Sequence, residues 1–157
     1  MNEKCFQDYY PQEFSHCYGC GNANNHGLQI RSFWEGEVSV CRFEPKPYHM
    51  AFPGYVYGGL IASLVDCHCV GTAAAAAYRE AGRELGSEPA FRYVTGSLHV
   101  DYLKPTPLGP PVIIQARVVE ISGRKTVLEA TVEVDGTITA RGKVVAVQLP
   151  EHLKSEK

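Results

Sequence analysis

Asp66 is the only formally charged residue between Tyr57 and Tyr78, in a chain where 20% of residues are charged. A desolvated carboxylate in a cleft acts as a proton acceptor or as a nucleophile toward an electrophilic carbon. The structural alternative is an acid bonded to a neighbouring hydroxyl or main-chain amide. The same apolar run opens with Tyr57-Gly58-Gly59. Two glycines at a helix start leave first-turn N–H groups uncovered, and with the helix dipole those amides suit an oxyanion or a polarised carbonyl. They also simply permit a tight entry turn. Asp66 lies about 10–12 Å beyond them along a helix rising 1.5 Å per residue, so one chain cannot bring both to one carbonyl. Cooperation requires two copies paired antiparallel about a two-fold axis, the acid of one meeting Gly58 and Gly59 of the other.

The element that must carry these groups is a long helix. Ile61, Leu64, Val65 and His68 recur at helical spacing, the run continues to about Ala81, and Gly82 and Gly86 end it. Asp66 falls on a different stripe, with Gly59, Ala62, Val70, Ala73 and Ala77, whose small side chains admit a ligand or another backbone while the bulky face packs on a sheet. Strand patterns follow: Glu37–Phe43 before the helix, then Arg92–Tyr102, Val112–Ile121, Lys125–Val134 and Thr137–Leu149. Along Arg92–Tyr102, alternation puts Val94, Leu98 and Val100 on one face and Thr95, Ser97, His99 and Asp101 on the other. The turns Ser122-Gly123 and Asp135-Gly136 join successive strands, which must then be antiparallel. One helix and about five strands predict an α+β fold in which a curved antiparallel sheet wraps the helix.

The 157 residues carry 15 Lys and Arg against 17 Asp and Glu, a net charge of −2. That balance, with no basic run, argues against nucleic acid or an anionic membrane as partner. The apolar stretch Leu60–Ala77 contains Asp66, which disfavours a membrane span and favours a buried helix. No charged-then-apolar leader opens the chain, so a cytoplasmic location is expected, with the six cysteines reduced. Residues 1–26 read as an N-terminal strap, 27–150 as the folded domain and 151–157 as a C-terminal tail.

Cys17-Tyr18-Gly19-Cys20-Gly21 has the spacing of a zinc knuckle, but one knuckle supplies two ligands. Completion would need Cys5, Cys41, a histidine or a second chain. The expectation is a tight turn with no metal. Cys67 and Cys69 diverge by about 200° around the helix and read as buried thiols. His68 points away from Asp66 and reads as a core or interface histidine. His99, on the polar face with Thr95, lines the cleft or bonds across strands.

The runs FPGYVYGGLIASLVD, VTGSLHVDYLKPTPLG and ISGRKTVLEATVEVDGTITARGKVVAV resemble the hotdog-fold acyl-CoA thioesterases of the phenylacetate-pathway and mammalian superfamily-member type, over about Gly27 to Leu149. The resemblance implies a helix wrapped by a curved sheet, a homodimer and commonly a homotetramer, and hydrolysis of acyl-CoA or aryl-CoA thioesters with no metal or other cofactor. It implies Asp66 as the catalytic acid that activates water or attacks the thioester. Gly58, with Gly59 beside it, supplies the polarising amide, and Thr95 orients the water. Tyr57 stands where the family has histidine. Ala51 stands where a second polar residue is often found, with His49 two residues back. Those losses keep open a catalytically weak hotdog protein that binds acyl-CoA, and an α+β cone binding a small apolar ligand. For the phosphates of CoA, Lys104, Arg124 and Lys125 are the cations at strand ends, and Arg124 matches the family's Gly-Arg pair.

Overall fold

The long apolar run folds as one α-helix, α1 (Gly58–Glu80), whose bulky face of Leu60, Ile61, Leu64, Val65 and His68 is buried. In this computed structural model, residues 3–150 are described; the tail expected at 151–157 lies outside the described residues. The strands are β1 (Phe33–Glu35), β2 (Val38–Phe43), β3 (Tyr93–Tyr102), β4 (Val112–Ser122), β5 (Lys125–Val134) and β6 (Thr137–Gln148). They form a single antiparallel sheet in the order β1-β2-β4-β5-β6-β3. One helix packed against this sheet is the expected hotdog arrangement. The strand count is six against an expected five, because Phe33–Glu35 pairs back on the start of β2 through a turn at Gly36 with φ +64°.

The helix meets β3, β4, β5 and β6, and Leu64, Val65, Ile114, Leu128, Val132 and Val144 are all fully buried between the layers. Each such side chain contributes about 1.5–3 kcal/mol by leaving water. Helix and sheet are close enough that a side chain at Gly142 on β6 would strike Val65. By length and composition α1 could cross a membrane, yet 61% of its apolar window is buried inside the fold. The β5–β6 turn is Asp135-Gly136, with φ +48° and +78°, the left-handed pair that a two-residue hairpin requires.

Three features of the fold position the site. First, β3 is an edge strand: it pairs with β6 on one side only, over ten residues, and Val94, Leu98 and Tyr102 are exposed along it. Second, β3 is bulged. Thr95 pairs with Ala146 but Ser97 pairs with Val145, so Gly96 is the extra residue. A bulge reverses the alternation, which corrects the expected facing: Thr95 points inward while Ser97, His99 and Asp101 point outward. Third, residues 3–32 wrap the helix flank through two short 3-10 helices, Phe6–Tyr9 and Gln12–Phe14. There Gln7 accepts from the Ser32 amide, and Ser32 and Ser39 hydroxyls hold the two ring nitrogens of His68 at 2.8 and 2.9 Å. His68 is thus the core histidine expected, and burial holds it down to about 4 from the ordinary 6.5.

Candidate active site

The small-residue stripe of α1 brings Asp66, half-buried, to a cleft of about 320 Å³ between the helix, the start of β3 and the N-terminal strap. Thr95 donates its hydroxyl to Asp66 Oδ1 at 2.6 Å. The bulge at Gly96 lets Thr95 share the helix side with Val100, which packs against the core, whereas unbroken alternation would turn one of the two away. One carboxylate oxygen is therefore oriented by a strand hydroxyl, and the other remains to accept a proton. Phe91, Val70 and Tyr10 give the cleft apolar walls, fit for an acyl or aryl group.

The start of α1 lies at the opposite end of β3. Tyr102, the last residue of that strand, donates its hydroxyl to the Gly58 carbonyl at 2.6 Å. Tyr57 is the N-cap residue without a side-chain cap, and the first-turn amides of Leu60 and Ile61 reach back to its carbonyl. Gly58 and Gly59 donate their N–H groups to no described residue. The Tyr57 ring folds against Gly59, where any side chain would collide with it. Tyr57 is 58% exposed, and burial, with the Tyr57 phenol beside it, raises the Tyr102 phenol above its ordinary range. Within one chain, then, Asp66 and Thr95 meet, whereas Gly58 and Gly59 remain about 12 Å away along the helix, as the 1.5 Å rise requires.

The three cations expected to meet the CoA phosphates, Lys104, Arg124 and Lys125, are not brought together. Arg124 and Lys125 occupy the β4–β5 turn at the Thr95 end of the sheet, while Lys104 follows Tyr102 at the other end. A ten-residue strand separates them, about 33 Å at 3.3 Å per residue, so one chain cannot clasp one phosphate group with all three. His99 is also corrected: it faces outward and pairs with Asp101 at 3.0 Å, away from the cleft.

Cys67 is the residue whose partners the sequence did not show. Half-buried and not sealed in the core, it lies 3.9 Å from Cys17, with Cys20 alongside, on the rim of the Asp66 cleft. Hydrogen bonding from Cys20 and Cys67 holds the Cys17 thiol far below its ordinary range, while hydrogen bonding to Cys17 pushes the Cys20 thiol up to about 12 and raises the Cys67 thiol as well. The helical position of Cys67, next to Asp66 on the small-residue side, was the one available signal.

A family model described as the thioesterase superfamily matches residues 53–141. The acyl-coenzyme A thioesterase THEM4 of Xenopus laevis is 41% identical over 86 residues, which are 55% of this chain and 33% of that protein. The chain thus spans about a third of the length of this curated relative. A thioesterase superfamily protein from Shewanella loihica PV-4 is 43% identical, with a TM-score of 0.66 over 82% of this chain and 98% of that one. The E. coli PaaI protein of the phenylacetic acid degradation operon, 14% identical, shares the fold with a TM-score of 0.63 over 78% and 81% of the two chains. With its helix, its six-stranded sheet and a match that runs from the helix entry into β6, the chain belongs to the thioesterase superfamily.

Proposed function

We propose that the protein hydrolyses acyl-CoA or aryl-CoA thioesters at a site shared by two copies of the chain. The carrying observation is that the two halves of the machinery sit at opposite ends of an exposed edge strand: Asp66 with Thr95 at its start, Gly58 with Tyr102 at its finish. Antiparallel pairing of β3 with a second β3, Thr95 opposite the second copy's Tyr102, exchanges the ends. The acid of each chain then faces the helix start of the other, giving two equivalent sites. An exposed ten-residue edge bearing Leu98 at 39% exposure, and a neighbouring loop displaying Tyr48, Met50, Phe52 and Tyr55, are surfaces a partner would cover. The same exchange carries Lys104 of one chain toward Arg124 and Lys125 of the other, where the CoA phosphates would bind. A homodimer is the catalytic unit, and pairing of dimers gives a homotetramer.

In this reading Asp66 takes a proton from water as the water oxygen attacks the thioester carbonyl. The amides of Gly58 and Gly59 receive the developing oxyanion. Collapse breaks the C–S bond, and Asp66 passes the proton taken from water to the departing thiolate, giving the free acid and CoA and restoring the carboxylate. Thr95 fixes the carboxylate rotamer. The step itself uses no cofactor beyond the substrate's own CoA. Six cysteines with no disulfide suit a reducing compartment, and the cytoplasm is the proposed location.

Free CoA released from an acyl- and aryl-CoA panel, followed with a thiol reagent, tests this. Asp66→Asn keeps the shape and the Thr95 bond while removing the base, and should lower kcat/KM by about 10²–10⁴-fold. A variant as fast as the parent overturns the mechanism. One observation favours a second reading, acyl-CoA binding with slow turnover: the Tyr57 ring covers Gly59. CoA binding without release of thiol, in the parent, would select it.

A further inference from the structure

Three thiols that hydrolysis does not use meet beside the cleft. The turn Cys17-Tyr18-Gly19-Cys20-Gly21 lays two of them against the flank of α1, where Cys67 projects one residue after Asp66. The three Sγ atoms lie within 4.8 Å of one another, and those of Cys17 and Cys67 are 3.9 Å apart. Sulfurs at the corners of a tetrahedron around zinc, with Zn–S of about 2.3 Å, are about 3.8 Å apart.

The backbone is shaped for this approach. A side chain at Gly19 would strike Cys67 Sγ, one at Gly21 would strike the Cys17 nitrogen, and one at Gly27 would strike the Tyr18 carbonyl. The Gly21 amide donates to the Cys17 carbonyl at 2.8 Å and the Leu28 amide to the Tyr18 carbonyl at 2.8 Å. None of these three glycines has a positive φ; each is required by space alone. The turn that aims the thiols is therefore built by its own packing and hydrogen bonds.

We propose that Cys17, Cys20 and Cys67 are the thiolate ligands of a zinc-class divalent cation, with a water from the adjoining cleft completing the tetrahedron. Three sulfurs select a soft cation over magnesium or calcium. The ion ties the N-terminal strap to the helix beside Asp66 and so fixes one wall of the cleft. Binding displaces the thiol protons into solvent, so affinity rises with pH.

The test uses the whole chain, reduced, titrated with Co²⁺, whose tetrahedral thiolate complexes absorb in the visible. The parent should bind one Co²⁺ per chain, displaced by Zn²⁺. Cys67→Ser should weaken Co²⁺ binding by at least about tenfold, the loss that even outer-shell changes cause at metal sites. Cys69→Ala, whose sulfur lies in the core, should keep the spectrum. Zn²⁺ should also shield the exposed Cys17 of the parent from a thiol reagent, a readout that needs no variant and stands even if Cys67→Ser fails to fold. Absence of a cobalt–thiolate spectrum in the parent, an unchanged spectrum in folded Cys67→Ser, or Zn²⁺ that leaves Cys17 reactivity unaltered would each overturn the proposal. These readouts are independent of whether the protein hydrolyses a thioester.

Discussion

Replacing Gly58 with proline deletes one N–H and disturbs little else. Gly58 is the first residue of α1, where proline is favoured because that N–H has no intrahelical acceptor. Tyr57 before it has φ −61° and ψ 129°, the extended conformation that a following proline demands. A carbon added at Gly58 would come no nearer than 3.5 Å to the Tyr102 ring, ordinary contact. Stability should therefore stay within about 1 kcal/mol of the parent, helped by the restricted unfolded chain. Catalysis should suffer: loss of one oxyanion donor costs about 10²–10³ in kcat, or about 2.7–4 kcal/mol. Thermal unfolding and free-CoA release, measured on the same preparation, separate the two effects. When Gly58→Pro and Asp66→Asn chains are unfolded and refolded together, about a quarter of the parental activity should return, because half the dimers are mixed and each holds one intact site. A Gly58→Pro protein with kcat within about threefold of the parent refutes the oxyanion role. Mixtures that stay inactive refute the shared site.

Thr95→Val removes the hydroxyl that donates to Asp66 at nearly constant shape. A hydrogen bond to a charged group is worth about 1.5–3 kcal/mol, so steady-state kcat/KM should fall about 10–100-fold; an unchanged value would show that the bond positions nothing. Leu98→Asp at the middle of β3 sets like charges across the two-fold axis, and sedimentation should show single chains that no longer hydrolyse substrate. An active dimer would contradict the β3 pairing. His68 is neutral in the fold down to about pH 4 but titrates near 6.5 when unfolded. Between those values the unfolded state binds the extra proton, so stability is full above the upper value and declines as pH falls, by up to about 3 kcal/mol. Urea denaturation at about pH 7 and about pH 4.5 measures this difference, and a flat profile would mean the imidazole is not desolvated.

The helix, the hairpins and the candidate acid were readable because each is announced locally. Ile61, Leu64, Val65 and His68 repeat at a helical period, Asp135-Gly136 supplies its own left-handed turn, and Asp66 is the one charge in an apolar run. The separation of Asp66 from Gly58, on which the proposed pairing of two copies rests, was also readable, since it follows from helical rise alone. The short β1 escaped because three residues are too few to show a period.

The chain alone therefore determined which residues could do chemistry and on which element they ride. Tertiary structure decided which of them meet. The bulge at Gly96 turns Thr95 toward Asp66 and His99 away from it, and that register is set by Ala146 and Val145 on a strand some fifty residues downstream. Cys67 finds Cys17 across a sequence separation of 50, and Lys104 lies at the opposite end of the strands from Arg124. Periodicity reports how a side chain points relative to its own backbone; only packing between distant segments, with the entropy of closing the loops between them, decides what it points at.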